Sequence, residues 1–247
     1  MKAKILDLGH FEIPDQEFGN TRLNVYPFKQ TSYVKLPEPY KMWESALNDI
    51  LKYVPLQKGA DNHAITICSD FFTENDYQRR EGIHIDGNFC VDPNFKRKNK
   101  PISSWGGMSP RPLETWGGIS LNPDILSEQP DNSHVRMNWV LPYNIVIPIG
   151  KYVSKNEGGI FIVSTNVGTQ AWQGHVPNDI ADGGSMDHLS HILTDKTSIH
   201  IPKNKLIFMT SNTPHKTLMI PKGTRRTFMR LTLDHRYKNK EIIKKVS

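Results

Sequence analysis

Four short apolar or alternating segments, TSIHIP, KLIFMTS, HKTLMIP and RTFMRLTL, follow one another between residues 197 and 233. Turn residues separate them, among them Pro202-Lys203-Asn204 and Pro221-Lys222-Gly223. Runs of this length, with alternation and Gly/Pro/Asn punctuation, read as β-strands. The same pattern begins further upstream, with NWVLPYNIVIPI from residue 138 and GGIFIVSTN from residue 158, joined by KYVSKNEGG. Asn156-Glu157-Gly158-Gly159 in that joint has the composition of a hairpin turn. So many short strands predict a mainly β fold, a jelly roll or double-stranded β-helix of the cupin type.

At 247 residues the chain is long enough for one such domain with elaborations. Residues 1–60 read as N-terminal helical support. Within them KMWESALNDILKYV repeats Trp43, Leu47, Ile50, Leu51 and Val54 at three- and four-residue steps, the apolar stripe of a helix. AITICSDFF alternates Ile65 and Ile67 with Thr66 and Cys68, as a half-buried strand does. Residues 91–135 are rich in Pro, Gly, Ser and Asn without periodicity, which predicts a lid or insertion; residues 136–235 then carry the main strands. An echo inside the insertion, Ser104-Trp105-Gly106-Gly107 against Thr115-Trp116-Gly117-Gly118, leaves two readings for each Trp: docking a turn onto the barrel, or stacking on substrate.

His84-Ile85-Asp86, placed on a strand, sends its imidazole and carboxylate to one face, because residues two apart share a face. His215, after a Thr-Pro turn in the C-terminal strands, is the candidate third ligand. Two imidazoles and a carboxylate on one side of an octahedral ion leave three positions open, the arrangement of non-haem Fe(II) oxygenases. Arg226 and Arg230 follow His215, alternating with Thr227 and Met229, so both guanidiniums share one strand face. That face cannot be buried without an anion to pair with.

IPKNKLIFMTSNTPHKTLMIPKGTRRTFMRLTL, with the His84/Asp86 pair, resembles the closing strands of the Fe(II)/2-oxoglutarate dioxygenases, particularly the phytanoyl-CoA hydroxylase and taurine dioxygenase branches. The resemblance spans about residues 80 to 235. It implies that His84, Asp86 and His215 hold Fe(II) and that Arg226 anchors the distal carboxylate of 2-oxoglutarate. Arg230 then assists it or orients the near carboxylate, while Arg225 points away. With O2 as second co-substrate, the implied reaction is C–H hydroxylation with release of succinate and CO2. Halogenation is disfavoured, because that branch has a small residue where Asp86 stands. Pro-Lys-Asn-Lys before the late strand departs from the usual Gly-Asp, and the loop after the first two ligands does not align.

Asn138, Tyr143, Asn144 and Arg79 are candidate substrate contacts. Arg79-Arg80 suits a phosphate or acidic group, or simply a solvated turn. A charge of +6 and a pI near 9.2 favour an anionic partner, although Lys96-Arg97-Lys98 and the tail from Lys238 to Lys245 supply part of that excess. The substrate class, small molecule or nucleic acid, stays open, as does the oligomeric state. Asp187, His188 and His191 offer an alternative zinc cluster, which lacks a fourth ligand; MDHLSHIL also reads as a short helix over the barrel mouth. His175 and His200 read as surface or strand histidines. A cupin-like binding or structural protein without turnover is the competing class. No segment has the ~20 apolar residues of a membrane span. Asp7, His10 and Glu12 interrupt any leader-like run, and Cys68 and Cys90 are too few for a disulfide scaffold, so a cytoplasmic protein with reduced thiols is expected.

Overall fold

Period-two alternation on the late strands decides which side chains meet across the core. The computed structural model describes residues 2–14, 21–30, 33–86, 89–91, 152–154, 157–181 and 184–246. Its strands are β1 (Lys2–Ala3), β2 (Ile5–His10), β3 (Thr21–Lys29), β4 (Asn62–Phe71), β5 (Phe89–Val91), β6 (Tyr152–Ser154) and β7 (Gly159–Ser164). They continue with β8 (Thr169–Trp172), β9 (Gly174–His175), β10 (Ser198–His200), β11 (Lys205–Thr210), β12 (His215–Thr217) and β13 (Arg225–Thr232). Two α-helices are described, α1 (Trp43–Leu51) and α2 (Lys240–Val246).

The fold is mainly β and its ladders are antiparallel. Six strands form one sheet in the order β2-β11-β7-β13-β4-β3, and three form a second in the order β10-β8-β12. One face of the larger sheet carries Ile65, Ile67, Phe161, Val163, Phe208, Met229 and Leu231, which pack against Trp43, Leu47, Ile50 and Leu51 of α1. Burying each such side chain contributes roughly 1.5–3 kcal/mol. On the opposite face, Ile160, Ile162, Ile207, Met209 and Phe228 meet Ala171 of β8 and Ile201 beyond β10. The smaller sheet therefore covers the larger one, as in a β-sandwich. Trp172, next to Ala171, turns outward and joins Ile83, Ile85, Val176, Met186 and Leu189 in a third cluster. Between these layers the chain crosses repeatedly: β4 large, residues 83–85 beside β12, β7 large, β8 and β10 small, β11 large, β12 small, β13 large.

Several expectations need correction. Residues 1–60 supply three strands as well as α1, so they are sheet as much as helical support. β3 is an edge strand broken by a register shift between Leu23 and Tyr26, and Val25 there has φ +46, so its alternation is hidden. β4 is buried on both faces rather than half-buried, because α1 and the site interior flank it. His84-Ile85-Asp86 is not a regular strand: only His84 forms bridges, to Ser185 and His215. The helix expected over MDHLSHIL is a single 3-10 turn, Asp187–Leu189. β6 pairs with β5, not with β7, and Asn156 of the expected hairpin turn lies outside the described residues, as do NWVLPYNIVIPI and both Trp-Gly-Gly segments. Among the described residues no helix is long and apolar enough to cross a membrane.

A buried histidine sets a pH limit on this architecture. His63 of β4 accepts a hydrogen bond from the Asp234 amide at Nδ1 (3.0 Å) and donates from Nε2 to Gln30 Oε1 (3.0 Å), since its first nitrogen is already an acceptor. Burial pushes its pKa down to about 4, against the smaller opposing pull of Asp234. The unfolded chain takes up this proton near pH 6.5 and the folded one only near 4, so stability is lost as pH falls through that window. Urea midpoints at pH 7, 5 and 4 are expected to fall by an equivalent of roughly 3 kcal/mol from this group. A flat profile over that range would show that His63 is not buried neutral.

Candidate metal centre

His84 and His215 face each other because the two chain segments that carry them exchange both backbone bonds. The His84 amide donates to the His215 carbonyl and the His215 amide to the His84 carbonyl, each at 2.9 Å. Ile83 and Ile85 turn outward into the apolar cluster around Trp172, which leaves His84 and Asp86 pointing inward. The imidazole centroids lie 4.5 Å apart, and His215 Nε2 is 3.4 Å from Asp86 Oδ2. One ligand atom from each of the three residues falls within 4.8 Å of the others, so the group can hold a metal ion.

Second contacts fix both rings. His84 Nδ1 sits 2.9 Å from the Gly82 carbonyl and His215 Nδ1 sits 3.0 Å from the Thr213 carbonyl. A carbonyl only accepts, so each Nδ1 carries a proton and each Nε2 is turned to the centre. Gly82 has φ +85, and a Cβ there would stand 2.8 Å from Asp187 Oδ2; glycine is needed where the chain turns into the first ligand. Burial, with His215 alongside, pushes His84 down to about 4, so it is neutral at physiological pH. Burial alone would raise the Asp86 carboxyl, but the Arg230 guanidinium and the His215 hydrogen bond hold it well below the usual carboxylate range. The result is two imidazoles and one carboxylate, all partly or fully withdrawn from water.

On the inner face of β13, four residues before Arg230, lies a guanidinium without an anion. Arg226 is 0% exposed; its Nε donates to Ser164 Oγ at 2.9 Å, and neither Nη has a hydrogen-bond partner. Its carbon lies 5.0 Å from the Phe228 ring centroid. A Cβ on Gly168 would approach that carbon to 2.4 Å, so the group fits only because residue 168 has no side chain. Burial lowers the Arg226 pKa to about 10, which leaves it charged. Asp70, its cross-strand neighbour, is already engaged by Arg22 (3.2 Å) and Gln78 (2.9 Å).

Arg230 shares the inner face with Arg226; its Nη1 pairs with Asp86, and its Nε is buried without a partner. Arg225 is exposed on the other face. Arg79 reaches the same interior, 5.9 Å from the Phe228 ring centroid. Asn138, Tyr143 and Asn144 lie outside the described residues. The zinc alternative does not assemble: Asp187 accepts from the Ile83 amide (2.6 Å) and from Ser185 Oγ (3.1 Å), and His188 and His191 are exposed. His175 and His200 are exposed strand residues.

Ser164 and Gly168 escaped the sequence reading. Ser164 had a signal: it breaks the Ile160, Ile162 row on the inner face of β7, and a polar residue in a core row needs a partner. Gly168, an ordinary loop glycine in sequence, had none. Comparison with family models, curated proteins and solved structures finds no match for this chain.

Proposed function

We propose that this protein is a non-haem Fe(II) oxygenase that uses 2-oxoglutarate and O2 to hydroxylate a C–H bond, releasing succinate and CO2. One observation carries the reading: a His84/Asp86/His215 triad met by Arg230 of β13 and, four residues earlier on the same face of that strand, a fully buried guanidinium whose two Nη atoms lack partners. An unpaired charge in such a place costs several kcal/mol, so the pocket is built for an anion. The repeated crossing of the chain between the two sheets supports a double-stranded β-helix, with the triad at the edge of the smaller sheet.

In this reading His84, Asp86 and His215 hold Fe(II), whose neutral-nitrogen and carboxylate donors suit that ion. Arg226 and Ser164 take the far carboxylate of 2-oxoglutarate, the guanidinium by a charge-assisted fork. Fe(II), the keto acid and O2 together supply the oxidising chemistry. Phe228, Ile162 and Ile207 keep the neighbouring wall apolar and exclude water. Gly82 and Thr213 carbonyls accept from each Nδ1 and so turn both Nε2 atoms to the centre.

Anaerobic addition of Fe(II) and then 2-oxoglutarate is expected to produce a weak visible charge-transfer band. Its absence from protein with confirmed stoichiometric iron would sink this proposal and select a binding protein without turnover.

A further inference from the structure

Phe228 is flanked by cations. Arg79 stands 5.9 Å from its ring centroid and Arg226 5.0 Å, while Arg230 lies two residues further along the same inner face of β13. Three guanidiniums therefore line one wall, and the carboxylates that answer them are few. Among the described residues Asp70 is held by Arg22 and Gln78, and no carboxylate pairs with Arg79. Asp86 pairs with Arg230, yet it is also a metal ligand.

A divalent ion bound by Asp86 would compete with Arg230 for that carboxylate, and Arg230 Nε already lacks a partner. The charges then divide as follows. A divalent cation and a dicarboxylate cancel, Asp86 offsets one guanidinium, and Arg22 offsets Asp70 from the outer side. Among the described residues two of the three guanidinium charges then stay uncompensated, and with Arg230 only 11% exposed an anion that joins them is favoured. Because the co-substrate's far carboxylate is assigned to Arg226, the pair left over is Arg79 and Arg230.

We infer that Arg79 and Arg230 form a second anion site, completed when metal occupies Asp86, and that the substrate carries an oxyanion group such as a carboxylate or phosphate. This rests on the oxygenase reading for the place of the co-substrate. The site reads charge and fork geometry, and the Phe228 ring stands beside the Arg79 guanidinium.

The test uses full-length protein loaded with Co(II), held anaerobically with saturating 2-oxoglutarate, and titrated calorimetrically with inorganic phosphate. Phosphate is expected to bind the loaded protein about tenfold more tightly than the metal-free protein. Arg79→Met is expected to weaken it about tenfold, with Co(II) affinity unchanged, and Arg79→Lys to recover part of the loss. Undiminished phosphate binding in Arg79→Met, or no phosphate binding to the folded wild type, overturns the inference. Should 2-oxoglutarate itself fail to bind, the oxygenase reading falls separately; phosphate titration of the Co(II) protein alone, in wild type and Arg79→Met, still decides this one.

Discussion

Asp86→Ala protein is expected to lose stoichiometric divalent-metal binding and also to unfold more readily than the metal-free wild type. Two causes act at one carboxylate. With Asp86 gone, two imidazoles remain to hold the ion, and the charge that balances it is removed. Arg230, whose side chain is 11% exposed, simultaneously loses its ion-pair partner. An uncompensated guanidinium of this burial costs about 3 kcal/mol, which a urea titration reads directly. The double variant Asp86→Ala with Arg230→Met separates the two effects: stability returns and metal binding does not. Full metal content in the single variant, measured by elemental analysis after dialysis, would dissolve the proposed centre.

Arg226→Ala should weaken 2-oxoglutarate binding to the metal-loaded protein by about a hundredfold, the magnitude of a buried bidentate charge-assisted contact. Arg225→Ala, one residue away on the exposed face, should change it by no more than about twofold. The contrast matters more than either value, since adjacent arginines share net charge and local sequence but not environment. Gly168→Ala offers an independent route to the same loss, because its methyl group would stand 2.4 Å from the guanidinium carbon and displace it. Calorimetry on the three variants measures this, and equal losses for Arg225 and Arg226 would end the assignment.

Legibility in the sequence followed the range of the interaction involved. The apolar stripe from Trp43 to Leu51 is local, and α1 lies where the periodicity puts it. Alternation of Arg226, Phe228 and Arg230 with Thr227 and Met229 is also local, and β13 sorts them to two faces as read. His84, Asp86 and His215 converge as their chemistry asks, yet not on two regular strands; a pair of reciprocal backbone bonds suffices. What the sequence hid was contact between distant segments. β2 and β3 become strands by pairing with β11 and β4, and β3 carries Pro27 and a bulge that mask its pattern. The Arg230–Asp86 pair and the meeting of Arg79 with Phe228 depend on how loops close over the sheet, which no local period encodes.

His215 is aimed from far away. The loop that presents it is tied to the opening residues: the Lys4 amide donates to Thr210 Oγ1 (3.0 Å), Thr213 Oγ1 donates to the Lys4 carbonyl (3.2 Å), and Asn212 Nδ2 donates to the Lys2 carbonyl (3.1 Å). Thr213 in turn supplies the carbonyl that sets the ring's tautomer. Trimming those first few residues, or pulling on them with a fused tag, would thus act as a remote adjustment of ligand geometry, loosening the grip on an ion that the altered segment never touches.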